Sequence, residues 1–367
     1  MSNWYQVENV ADVPSPSLLV YPDRVAANIR RMVEIVDGDP SRLRPHVKTH
    51  KMAEVIQLQL DAGITKFKCA TIAEMELVAS AGAKDLLLAY QPVGPNIDRM
   101  RQLQKKFPDT VFSAVVDDAE ILKQISAADF GLRLFVDVDC GLHRTGISVA
   151  DTFGLCQAIA AAPGVEFMGL HVYDGQNHAP DPTDRERQFD SSIDPVRPLL
   201  ERLEAEGPQP RENVGGGSPT FALHAGKAPW SCSPGTTCFW DANYGANFED
   251  LGFIPAAALL SRVISRPGPN RICTDLGHKA VAAERPIDKR VQFFDFPEDA
   301  MPVIQSEEHL AYEVPNREAF HVGQEIYGLP GHICPTVALH EEAIIVRNGR
   351  ATDERWLVAA RKRKITV

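Results

Sequence analysis

No apolar run in the 367 residues is long enough to cross a bilayer as a helix, and no two cysteines stand in CxxC spacing. The first absence excludes a helical membrane span, which needs about 20 mostly apolar residues in a row. The seven cysteines are odd in number and scattered, so reduced thiols are expected rather than a disulfide framework. Positive charge is also short. With 38 Lys and Arg against 49 Asp and Glu the formal net charge is -11, whereas a nucleic-acid partner would need a clustered basic surface. The one basic run, Arg361-Lys362-Arg363-Lys364, reads as a solvated tail. The opening MSNWYQVENVADVPSP has neither a positively charged start nor an apolar core. It is therefore not expected to be a signal peptide, and the expected compartment is cytoplasmic. Neither an HExxH pair nor the GK[ST] of a P-loop occurs.

What is there is an alternation of short apolar runs with amphipathic stretches. Strands are expected at residues 17–20, 43–48, 66–71, 85–90, 111–117, 131–139, 165–173 and 212–216, with helices such as 23–36, 73–81, 118–127 and 185–206 between them. Eight strand-helix units predict an α/β fold, a (β/α)8 TIM barrel, although an open doubly wound sheet has a similar local pattern. Lys48, the Asp137–Arg144 turn, the His171–His178 segment and the glycine loop at Gly215–Ser218 fall at or just after the C-terminal ends of these strands, which favours the barrel. After about Pro255 the pattern changes to short apolar runs split by Pro and Gly: 257–265, 271–275, 291–294, 310–314, 325–328, 343–347 and 356–360. Those predict a mainly antiparallel β domain. The expected domains are a barrel at 15–250 and a β domain at 251–367, joined by residues 1–14.

Lys48, in Arg44-Pro45-His46-Val47-Lys48-Thr49-His50-Lys51, stands at a strand end beside two histidines and a second lysine. A lysine crowded by other cations gives up part of its charge and becomes a nucleophile suited to Schiff-base chemistry. Gly215-Gly216-Gly217-Ser218-Pro219-Thr220 offers unobstructed backbone N–H groups and two hydroxyls, the chemistry an organic phosphate needs, or else a plain turn. In Val136-Asp137-Val138-Asp139-Cys140-Gly141-Leu142-His143-Arg144, the arginine either reaches a ligand or pairs with Asp137 or Asp139. The segment His171-Val172-Tyr173-Asp174-Gly175-Gln176-Asn177-His178 is dense in titratable groups. His178 is the expected acid/base and Tyr173 the orienting group, while His171 is either functional or a satisfied core histidine. His332-Ile333-Cys334 puts two ligands on one side of an extended segment, a donor pair suited to zinc, and Ser306-Glu307-Glu308-His309 offers support.

Together PHVKTHK, VDVDCGLHRTG, GLHVYDGQNH, GGGSPT, PGTTCFWD, TDLGHKAVAAE, SEEH and GHICPTV resemble the pyridoxal-phosphate enzymes of the D-threonine aldolase and D-serine dehydratase family, across nearly the whole chain. The resemblance implies an alanine-racemase-like fold of type III. Lys48 would carry pyridoxal 5'-phosphate as a Schiff base, and Gly216, Gly217 and Ser218 would hold its phosphate. Arg144, Tyr173 and Asp241 fall in cofactor-side motifs. His332 and Cys334 would bind a divalent metal, zinc or alternatively manganese or magnesium. A homodimer and a small D-amino acid substrate are implied, with neither membrane nor nucleic acid as a partner. Members that cleave D-threonine tend to carry His-x-Asp at the metal, and the dehydratases His-x-Cys, the pattern found here. TDLGHKAVAAE and GHICPTV instead resemble the aldolase-like branch. Retro-aldol cleavage of D-3-hydroxy amino acids to glycine and an aldehyde is the first expectation. The alternative is dehydration of D-serine or D-3-hydroxyaspartate to a keto acid and ammonia.

Overall fold

Strands of two to eight residues, most of them buried along nearly their whole length, alternate with capped helices in the first of two units into which the chain divides, residues 29–48, 56–235 and the C-terminal residues from 362. The computed structural model describes residues 3–366; Met1, Ser2 and Val367, which the expected β-domain boundaries include, lie outside the described residues. Helix starts follow their capping chemistry. Thr71 accepts the Glu74 N–H ahead of Ile72–Ser80, and Asp118 accepts those of Glu120 and Ile121 ahead of Ala119–Ala127.

The strands Lys66–Cys69, Asp85–Leu88, Val111–Val116, Leu132–Asp139, Val165–Val172, Val214–Gly215 and Ser231–Cys232 lie side by side in parallel. Residues 43–47 close the ring: Leu43 bridges Cys232 on one side, His46 bridges Lys68 on the other, and the Val47 N–H donates to the Lys68 carbonyl. With this segment the barrel has its eight staves. One expectation is corrected here. The run Ser17–Val20 is not the first barrel strand but pairs antiparallel with Ala257–Ser265 and parallel with Glu342–Arg347 in the other unit. Four apolar residues ahead of a helix look the same whichever sheet accepts them, and all four are buried. The true eighth member, Ser231–Cys232, is a two-residue strand, too short to show in the pattern.

Side chains fill the barrel in layers. At the strand starts Arg44 is fully buried between Asp85 at 2.8 Å and Glu212 at 2.6 Å, with Lys66 2.9 Å from the other Glu212 oxygen. Burial alone would raise the Glu212 carboxyl, but Arg44 and Lys66 bring it down to about 2. Above lies an apolar layer of Leu87, Val115, Phe135, Met168 and Val214. Polar residues return towards the strand ends, where the candidate site begins.

The second unit comprises the N-terminal residues to 28, 49–55 and 236–361. Its sheet is mainly antiparallel, as expected, built from Ala257–Ser265, Arg271–Thr274, Val291–Phe293, Met301–Gln305, Leu310–Glu313, Glu325–Pro330, Glu342–Arg347 and Arg350–Leu357 around Ser17–Val20. Tyr5, Val7 and Val13 pack on Leu19, Leu260, Tyr327 and Ile344, which ties the N-terminal segment to this core. Residues 15–28 and 236–250 also belong to this unit rather than to the barrel. Among the described residues no helix is long and apolar enough to cross a membrane.

Candidate active site

The C-terminal ends of the barrel strands bring Lys48 and the glycine loop together through Gly235. The Gly235 N–H donates to Ser218 Oγ at 3.1 Å, and a Cβ on Gly235 would lie 3.5 Å from Lys48 Cε. Lys48 is half-buried, and its own N–H donates to His46 Nδ1 at 3.3 Å. Beside the loop, the Ser233 N–H donates to the Gly215 carbonyl, while the buried Ser233 Oγ has no hydrogen-bond partner among the described residues. A Cβ on Gly217 would meet the Tyr173 ring at 3.2 Å. An orphaned hydroxyl and a stretch of backbone kept bare of side chains fit a phosphate-bearing ligand.

The glycine loop is held from behind by a buried cluster. Asp174 Oδ1 accepts from Thr220 Oγ1 at 2.9 Å, Asp174 Oδ2 accepts from Asn177 Nδ2 at 3.3 Å, and His224 Nε2 lies 3.2 Å from Asp174 Oδ2. Burial opposes a charged Asp174, yet His224, Thr220 and Asn177 hold its carboxyl below the usual range. Gly216 has φ +85° and its missing Cβ would sit 2.6 Å from His224 Cδ2. Its N–H donates to the Val172 carbonyl at 3.2 Å, so Gly216 shapes the loop while its donor is already engaged. Gly216→Ala is therefore expected to destabilise the chain by about 1–3 kcal/mol, read by denaturant titration.

Arg144 had two sequence readings, and the structure separates them. Asp139 accepts the N–H groups of Gly141 and His143 and the His143 Nδ1 contact of 2.7 Å, building the turn. Asp137 faces His171 Nδ1 at 2.6 Å. Both carboxylates are thus committed, and exposed Arg144 instead places its guanidinium carbon 5.1 Å from the Tyr173 ring centroid. Lys68 Nζ lies 5.6 Å from the same centroid. The tyrosine ring thus lies between the Arg144 guanidinium and the Lys68 amine. His178 is exposed on its loop, whereas His171 is buried.

The metal motif sits in the other unit and departs from its expected conformation. His332 precedes a short helix, Ile333–Val337, so Cys334 lies in a helical turn rather than along an extended segment. Pro335 is tolerated there because the first turn of a helix leaves its N–H groups without carbonyl partners. The two side chains nevertheless act on each other, Cys334 on the imidazole, whose Nδ1 contacts Glu284 Oε1 at 2.7 Å. Burial alone would lower the imidazole, but Cys334, Glu284 and Asp241 lift it to about 9. Cys334 Sγ is 3.0 Å from Thr49 Oγ1. Buried Asp241 accepts the N–H groups of Tyr244 at 2.9 Å and Ile333 at 3.0 Å, so it fixes the backbone between His332 and Cys334. Glu307 and Glu308 of SEEH pair with Lys279. Among the described residues no three or more His, Cys, Asp or Glu side chains are grouped to hold a metal ion. Two donors with a carboxylate behind the imidazole fit a cation that takes its remaining ligands from water or substrate.

Residues 20–241 match the alanine racemase N-terminal domain. The chain belongs to that family. Residues 256–346 of this alanine-racemase-family chain match the putative serine dehydratase domain. It is 29% identical over 367 residues to a 3-hydroxy-D-aspartate aldolase of Paracoccus denitrificans, covering 96% of this chain and 93% of the relative. It is 29% identical over 362 residues to a D-threonine aldolase of an Arthrobacter species, covering 96% and 94%. The crystal structure of D-threonine aldolase from Filomicrobium marinum superimposes with a TM-score of 0.88 at 28% identity, covering 96% of each chain. The fold is the alanine-racemase-like barrel with its β domain.

Sequence reasoning passed over Lys68, His224 and Ser233. Lys68 did leave a signal in the strand Lys66–Cys69, where Lys66 and Lys68 share one face and buried Phe67 takes the other. Two lysines on the inward face of a barrel strand mark a charged interior. For His224 and Ser233 no local pattern distinguishes a loop-packing residue from an ordinary helical or turn position.

Proposed function

We propose that the chain cleaves D-3-hydroxy amino acids by a retro-aldol reaction, giving glycine and an aldehyde, with pyridoxal phosphate on Lys48 and a divalent cation on His332 and Cys334. The chain is an enzyme, a lyase of the pyridoxal-phosphate-dependent fold type III class. The observation that carries the reading is the joining of Lys48 to the glycine loop through Gly235, in a chain similar over nearly its full length to two aldolases.

Bound pyridoxal phosphate supplies an electron sink for the pair left at Cα when a bond there breaks. A cation on His332 and Cys334 would polarise the substrate hydroxyl oxygen. The chain's own residues do the rest. The Gly217 and Ser218 backbone and the Ser233 hydroxyl bind phosphate, while Arg144 and Tyr173 orient the ring. His178 accepts the hydroxyl proton as the Cα–Cβ bond breaks and the aldehyde departs. Glycine forms when a proton returns to Cα. The substrate is a small D-amino acid, and the assembly proposed is a homodimer.

His332-x-Cys334 favours the second reading, dehydration to a keto acid and ammonia, in which Lys48 would remove the Cα proton. The two separate cleanly by experiment. With D-threonine the expected products are glycine and acetaldehyde, and deuterium at Cα is expected to change the cleavage rate little, because that bond stays intact. Predominant 2-ketobutyrate and ammonia with a large Cα isotope effect would establish the dehydratase instead.

A further inference from the structure

We propose that Lys68, backed by His171 and Asp137, takes up one proton as the anionic cofactor loads on Lys48, and so supplies the positive charge that balances it. The inference rests on the pyridoxal phosphate reading. Lys68 is buried, with 2% of its surface exposed, and its Nζ lies 3.4 Å from His171 Nε2. The other imidazole nitrogen, Nδ1, contacts Asp137 Oδ1 at 2.6 Å. Burial alone would raise the Asp137 carboxyl, but His171, Thr145 and Lys68 hold it below the usual range. As a carboxylate Asp137 only accepts, so Nδ1–H donates and Nε2 turns its lone pair to Lys68. The imidazole itself stays neutral, since burial and the Lys68 amine keep it below its ordinary range. An acceptor is therefore aimed at a lysine that burial and then Lys48 push down to about 7.

Among the described residues, charged and titratable groups of both signs bear on this balance. Lys48 and Arg44 disfavour its proton, whereas Asp137 and Asp174 favour it, and neutral His171 and the Tyr173 ring complete the surroundings. The strand pairing makes the first of these unavoidable: His46 bridges Lys68, and Lys48 follows two residues later. Loading changes both sides of the balance. The Lys48 nitrogen replaces the aldehyde oxygen of the cofactor, which leaves as water, and a phosphate of nearly two negative charges at neutral pH enters beside the glycine loop. A group that gains proton affinity on binding draws a proton from solvent, and the stoichiometry measures it. Lys68 is a positioning residue in this scheme, acting through Lys48 and the field at the ring.

The test titrates the full-length chain, stripped of cofactor, with pyridoxal phosphate at pH 8 in buffers of differing ionisation enthalpy, while the visible band reports loading. Wild type is expected to take up about one proton more per chain than Lys68→Met. Lys68→Gln, which keeps a donor towards His171 but cannot titrate, is expected to behave like the Met variant, and it stands in should Lys68→Met fold poorly. Variants that load with a normal band and the wild-type proton count would overturn the role of Lys68 and leave the lyase reading standing. Absence of any band in wild type would overturn both.

Discussion

Lys48→Ala is expected to lower turnover by roughly 10⁴- to 10⁶-fold, the range met when a covalent nucleophile is removed, and to abolish the visible absorption of the reconstituted chain. The size of the effect follows from the site's construction. Lys48 is half-buried at the end of the segment that closes the barrel, and Gly235 links it to the loop that would hold the phosphate. Lys68, although also a lysine in the barrel, is directed at His171, so it is not placed to substitute. Absorption spectroscopy and steady-state rates with D-threonine check the outcome. A variant that retains the band and more than about one-tenth of the rate would remove Lys48 from the mechanism.

Arg44→Ala is expected to cost about 3–5 kcal/mol of stability, the usual penalty for taking one partner from a buried ion pair. Arg44 is fully buried and bridges Asp85 and Glu212, so its loss takes that partner from Asp85 and leaves Glu212 with Lys66 alone. The pH dependence carries the same signature. Glu212 titrates at about 2 in the folded chain, below its ordinary value of 4.5, so its contribution is present above about pH 4.5 and is lost as pH falls towards 2. Without Arg44 that carboxyl rises, and the acid limb of the stability curve moves to higher pH. Denaturant titrations between pH 3 and 7 measure both effects; equal stability of variant and wild type across that range would show that the pairs carry no net energy.

Much of this architecture was legible in the residues. The strand-helix alternation, the change of pattern after Pro255 and the gathering of motifs at strand ends all describe features of the two sheets. What escaped was pairing. Ser17–Val20 and residues 43–47 are both short, and only the partners available in three dimensions send the first to the antiparallel sheet and the second into the barrel. The metal motif shows the same limit at finer scale, since alternation placed His332 and Cys334 on one face of a strand whereas a helical turn brings them together. Asp241 was tied to the cofactor by its motif, but its hydrogen bonds go to Tyr244 and Ile333, which only the folded backbone reveals. Lys68 was readable from the two-residue period of its strand, and reading outward from motifs alone missed it.

The most direct measurement is reduction of the pyridoxal-phosphate-loaded chain with borohydride, followed by proteolysis and mass spectrometry of the pyridoxyl-bearing peptide. The group is expected on Lys48 alone, at one per chain, within the peptide that contains Arg44-Pro45-His46-Val47-Lys48. A pyridoxyl group on Lys51, Lys68 or Lys279, or a chain that takes up no cofactor, would contradict the assignment of the reactive amine on which the proposed chemistry rests.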